Sequence, residues 1–143
     1  MKHLFLLAFL FCSFSMFSQI EEIVGRWKTI DDKTGDAKSI VRIYQETNGK
    51  YYGVVEELFK NPDKKCENCS GENKDKPVLG MVIVTDMNEK NGALGGGKIL
   101  DPENGKTYFA SISLDKKTGK LKLRGSLDKM GVAGRNQFWE KVK

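Results

Sequence analysis

The chain has 143 residues, with 24 Lys and Arg against 19 Asp and Glu, a formal net charge of +5, three cysteines and a single histidine. That length suits one domain, which buries roughly two thirds of its unfolded surface. The positive excess is scattered as KK, DKK and KVK fragments with no basic stripe and no interleaved aromatics, which argues against a nucleic-acid partner and for a solvated, soluble surface.

The first segment, MKHLFLLAFLFCSFSMFSQ, has Lys2 at its start, an unbroken apolar run from Leu4 to Phe11 and small residues at Ser13, Ser15 and Ser18. This is the layout of a secretory signal peptide, with cleavage expected after Ser18. The apolar run is shorter than the ~20 residues a membrane-spanning helix needs, and no later stretch qualifies. Phe11 stands before Cys12, where a lipoprotein signal wants a small residue. The expected organisation is a signal peptide over 1–18 and one β domain over 19–143, exported to the periplasm or the medium. Cleavage removes Lys2 and His3, the only histidine.

After Gly25 the chain reads as short strands divided by turns. GRWKTI (25–30) precedes DDKTGD; KSIVRIYQ (38–45) and KYYGVVEEL (50–58) flank Thr47-Asn48-Gly49, a strong hairpin signal. A long polar loop covers 59–76. VLGMVIVT (78–85) is the most apolar strand, NEKNGALGG is read as the next connection, and a short strand covers 97–101. Asn104-Gly105 then turns into KTYFASISLD (106–115), KKTGK into LKLRGSL (121–127), and DKMGVAGR into NQFWEKV (136–142).

Period-two alternation runs through these segments. Tyr108, Ala110, Ile112 and Leu114 share one face, and Leu121, Leu123, Gly125 and Leu127 oppose Lys120, Lys122 and Arg124. One apolar and one wet face suit an antiparallel sheet closed on itself. The fold class predicted is all-β: a single antiparallel up-and-down barrel of about eight strands, with room for packed side chains or one small ligand.

Chemistry-bearing motifs are few. Without His3 the usual general base and the Ser–His and Cys–His nucleophile pairs are missing. Glu56 and Glu57 are adjacent on a strand, point to opposite faces and cannot flank one substrate. The segments at 101–105 and 86–92 lack calcium-loop spacing and read as turns. Gly95-Gly96-Gly97 precedes no helix, so a bulge or close backbone approach explains it better than an anion cradle. The expectation is a protein that is not an enzyme and carries no cofactor or metal.

KKCENCSG (64–71) holds Cys66 and Cys69. A redox dithiol needs a helix start, which Pro62 and Pro77 argue against. A zinc site needs four ligands, and two thiols without an imidazole supply half. An oxidising compartment favours a Cys66–Cys69 disulfide that stiffens the loop, with metal binding as the alternative.

GRW at 25–27, PVLGMVIV at 77–84, GGGKILDPENGKTYFASISL at 95–114, LKLRG at 121–125 and GRNQFWEKV at 134–142 resemble the DUF2147 family of exported bacterial proteins. The resemblance spans Gly25 to Val142 and implies a lipocalin-like β-barrel without naming an activity. Gly25-x-Trp27 is also similar to the Gly-x-Trp opening of lipocalins and related calycins. That likeness implies an arginine near the last strand packed over Trp27 to close one barrel end, with Arg135 preferred over Arg124.

The function expected is a binding or accessory protein taking a small, partly apolar molecule at the barrel mouth, with the 59–77 loop as a lid. Tyr44, Tyr52, Tyr108 and Trp139 are the candidate ligand contacts. The alternative is an envelope interaction or stability module with a filled barrel, or a metal or thiol protein acting through Cys66 and Cys69. Oligomeric state is not readable from the sequence.

Overall fold

Eight stretches of alternating polarity become eight strands in the computed structural model, which describes residues 19–143. They are β1 (Gly25–Ile30), β2 (Ala37–Gln45), β3 (Tyr51–Leu58), β4 (Val82–Lys90), β5 (Ala93–Asp101), β6 (Lys106–Leu114), β7 (Leu121–Ser126) and β8 (Gly134–Lys141). Each pairs antiparallel with its successor, and β8 returns to β1 through Trp27↔Lys141 and Lys28↔Glu140. The sheet is therefore a closed up-and-down barrel, as the alternation predicts. Closure removes the unpaired edges that would template aggregation. The signal-peptide segment, 1–18, lies outside the described residues.

The inward faces form one core. On β7 Leu121 and Leu123 are buried while Lys122 and Arg124 reach toward solvent. On β2 Val41 and Ile43 are buried between the half-exposed Arg42 and Tyr44. Each such Leu, Ile or Val stabilises the fold by about 1.5–3 kcal/mol when fully buried.

The largest departure from the expected boundaries lies in the fourth and fifth strands. The strand read at 78–85 begins at Val82 and runs to Lys90, through residues expected to form a connection. Asn91 and Gly92 both take positive φ (54° and 79°), the demand of a tight two-residue hairpin, so pairing continues to the turn itself. Val78 stays in the preceding loop because its N–H donates to the Lys64 carbonyl and Gly80 (φ 83°) turns the chain. The glycine run behaves as predicted. Pairing shifts register between Leu94 and Gly97, and a Cβ at Gly97 would strike the Thr85 carbonyl and the Met87 sulfur. Two helical pieces were not anticipated: α1 (Gln19–Ile23) and a 3-10 turn at Gly71–Asn73.

Candidate functional site

Up-and-down closure sends alternate connections to opposite ends. One end holds α1, the β2–β3, β4–β5 and β6–β7 turns and the end of β8. The other holds the connections after β1, β3, β5 and β7, the longest of them after β3.

The first end is shut. Ile20 and Ile23 of α1 are buried, and the Trp27 indole Nε1 donates to the Ile23 carbonyl at 2.7 Å. Lys141 Nζ stands 4.6 Å from the centre of the Trp27 ring and 3.5 Å from the Val24 carbonyl. Such a cation over an indole contributes about 0.5–2 kcal/mol, depending on desolvation. The basic partner of Trp27 is therefore Lys141 and not Arg135. Register explains the difference: Trp27 pairs with Lys141, whereas Arg135 pairs with Gly125 toward the other end and lies 3.6 Å from Asp32.

The second end opens into a cavity of about 740 Å3. Its walls differ. Strands β3 to β7 contribute Val55, Ile83, Ile99, Leu123 and Gly125. Strands β8, β1 and β2 contribute Gln137, Thr29 and Ser39, the last two sharing a 2.7 Å hydroxyl–hydroxyl hydrogen bond. Trp139 also lines the cavity and is only 2% exposed. Its Nε1 has no acceptor, alone among buried side-chain nitrogens and oxygens of the described residues. An unsatisfied buried donor costs about 1–3 kcal/mol.

Acidic and basic side chains are balanced around the mouth, five of each. Lys38 holds Glu103 at 2.7 Å, Lys60 holds Asp36 at 3.3 Å, and Asp31 accepts the N–H groups of Lys33 and Thr34. The Lys38 contact outweighs partial burial and holds the Glu103 carboxyl below its usual range. The two backbone N–H groups do the same for Asp31. In the β7–β8 connection, at the same end of the barrel, Leu127, Met130 and Val132 are exposed. Asp128 fixes that loop by accepting from the Val132 and Ala133 N–H groups.

Cys66 and Cys69 form a disulfide with Cα atoms 5.3 Å apart, as expected. Both are buried against the β5–β6 turn: Cys66 Sγ lies 3.5 Å from the Pro102 carbonyl, and Asn68 Nδ2 donates to the Glu103 carbonyl at 2.7 Å. Of residues 59–78, only Lys60, Lys64 and Val78 line the cavity among those beyond the strand end. The loop thus flanks the mouth and braces its wall; the lid geometry expected for it is not what the fold builds.

The four candidate contacts divide evenly. Tyr108 and Trp139 line the cavity. Tyr44 and Tyr52 lie on the outer surface, 6.1 Å apart, within a ladder in which Glu56 bridges Arg26 (2.8 Å) and Arg42 (2.6 Å), Arg42 stacks on Tyr44, and Tyr52 donates to Asp86. Partial burial opposes Glu56 ionisation, but the two guanidinium groups prevail and lower its pKa. Thr29, Ser39 and Gln137 were not singled out from sequence. Gln137 had a usable signal, since it stands two residues before Trp139 and shares its face. Among the described residues no three His, Cys, Asp or Glu side chains gather to hold a metal, and no helix is long and apolar enough to cross a membrane.

Residues 25–141 match the family described as "Uncharacterized protein conserved in bacteria (DUF2147)". The chain is similar in structure to a Helicobacter pylori protein whose structure is described as "Protein HP1028 from the human pathogen Helicobacter pylori belongs to the lipocalin family" (TM-score 0.73, 24% identity, 84% of this chain and 82% of that one covered). That likeness shows a lipocalin-like fold. No curated protein matches the chain.

Proposed function

The chain belongs to the DUF2147 family, and from that premise we propose that it is an exported, non-catalytic binding protein whose open barrel end takes one small, partly apolar ligand. The cavity of about 740 Å3, walled by Val55, Ile83, Ile99, Tyr108 and Leu123, carries this reading. Its size falls in the range of small-molecule sites, ~300–1,000 Å3, and mixes apolar walls with a few polar groups, as such sites do. The exposed Leu127, Met130 and Val132 of the β7–β8 connection, at the same end, offer an arriving hydrophobic molecule an apolar first contact. A filled barrel would have favoured the interaction-module alternative.

The non-catalytic reading draws support from the rim, where Glu103, Asp36 and Asp32 are engaged by Lys or Arg and no histidine follows His3. A bacterial family with a Cys66–Cys69 disulfide suits an oxidising compartment, and export directed by residues 1–18 is the route we propose to it.

The test uses N-phenyl-1-naphthylamine, a neutral apolar fluorophore, with residues 19–143. Saturable one-to-one enhancement is expected. Gly125→Leu should weaken it at least tenfold with little change in melting, because a Cβ at Gly125 meets only ordinary contacts (3.6 Å to Tyr108 Cβ) and the added chain grows into the cavity. Absence of saturable binding to the unmodified protein contradicts the proposal.

A further inference from the structure

The two walls of the cavity are chemically unlike, and this narrows the ligand. Hydrogen-bonding groups sit on three adjacent strands, Gln137 and Trp139 on β8, Thr29 on β1 and Ser39 on β2, while the facing strands supply mainly hydrocarbon, with the Tyr108 hydroxyl near the mouth accepting from Asn104 Nδ2 at 3.0 Å. The Thr29 and Ser39 hydroxyls bond to each other and Gln137 Nε2 reaches Asp32 at 3.5 Å, so most of this polar wall has partners. Trp139 Nε1 has none. Indole N–H is a donor only, so what would satisfy it is an acceptor.

Charge narrows the class further. The ionised side chains that line the cavity gather toward its mouth: Arg135, on the same face of β8 as Trp139 but four residues nearer the mouth, is held by Asp32 at 3.6 Å. Lys141 is engaged at the shut end over Trp27, and the mouth's charges are equal in number and largely paired. A carboxylate carried to Trp139 would be buried without a counter-ion, an arrangement proteins avoid.

We infer that the cavity takes a neutral, mainly apolar molecule carrying a carbonyl-class acceptor on its buried end, received by the Trp139 indole N–H with its polar edge along β8, β1 and β2. This rests on the binding reading above and adds the chemistry of the ligand. Nε1 is itself closed to solvent, so the inference requires the indole to tilt as the molecule seats.

The experiment compares 2-undecanone, undecane and undecanoate on residues 19–143 labelled with 15N, following the two indole N–H resonances, Trp27 and Trp139. The ketone is expected to bind about five- to tenfold more tightly than the alkane, the worth of one net hydrogen bond, and to shift the Trp139 indole N–H downfield. The Trp27 resonance should stay in place because its proton already goes to Ile23. Trp139→Phe should abolish the ketone preference while alkane binding persists. The wild-type resonances carry the test independently if that variant folds poorly. Undecanoate binding as well as the ketone, equal ketone and alkane affinities, or a ketone-insensitive Trp139 N–H held by a buried water each overturn the inference and leave the binding function standing. Failure of all three probes removes both.

Discussion

Trp27 on β1 and Trp139 on β8 stand on neighbouring strands, and both are almost wholly buried, at 1% and 2% exposure. Their surroundings are opposite. Trp27 has its N–H on a helix carbonyl, an ammonium over its face and two isoleucines of α1 around it. Trp139 borders an open cavity and leaves its N–H unused. The shut end therefore spends the Trp27 N–H on stability, whereas Trp139, two residues before Lys141 on β8 and bordering the inner part of the cavity, leaves its own without an acceptor. On the binding reading proposed above, the difference separates the scaffold end from the candidate site.

The sharpest way to break this comparison is to replace each indole by a phenyl ring. Trp27→Phe strands the Ile23 carbonyl and loses packing, and should cost about 2–4 kcal/mol in urea unfolding. Trp139→Phe removes an unsatisfied donor along with some volume, and should cost under about 1 kcal/mol. Equal losses would erase the distinction.

Gly105→Ala comes next. Gly105 has φ 71°, and a Cβ there would collide with the Asn68 carbonyl, so the disulfide loop must leave the β5–β6 turn. A loss of about 2 kcal/mol is expected, with increased amide exchange across 59–77 while α1 is unchanged. Cys66→Ala with Cys69→Ala should cost no more than about 2 kcal/mol, since so short a loop gains little from closure, and should raise exchange in the same segment with the barrel intact. Global unfolding of either variant would show that the open end is part of the scaffold after all.

The smallest effect is acid sensitivity. Glu103, Asp31 and Asp128, all in connections at the open end, have pKa values lowered from 4.5, 3.8 and 3.8: by the Lys38 contact at Glu103 and by backbone N–H groups at the two aspartates. A carboxyl depressed in the fold stabilises it above its unfolded pKa and loses that contribution as pH falls through the lower folded value. Between pH 5 and pH 3, amide exchange should rise first in 31–36, 101–105 and 127–133, and later at the α1 end. Simultaneous loosening of both ends would contradict the assignment.

Much of the barrel was legible because period-two alternation and Asn-Gly turns are local signals. Strands β1, β2, β3, β6 and β7 lie within one residue of their predicted limits. What failed was register and facing. Arg135 was matched to Trp27 by nearness to the last strand, yet pairing with Gly125 carries it toward the mouth. Tyr44 and Tyr52 point outward, and the sequence held the clue: Tyr44 shares its face with Arg42, and Tyr52 with Glu56, charged groups unsuited to a barrel interior. The five residues of α1 are too few to show helical periodicity, and their burial comes from tertiary packing alone. The unused Trp139 donor has no sequence signature at all, because it is defined by the acceptors that surround it.

The central claim is that ligand enters at one end only. The most direct measurement is an amide and indole chemical-shift map of residues 19–143 titrated with N-phenyl-1-naphthylamine. The account predicts saturable shifts at Thr29, Ser39, Ile83, Leu123 and Trp139, with Trp27 and α1 unmoved. Shifts centred on Trp27 and α1, or none that saturate, would contradict it.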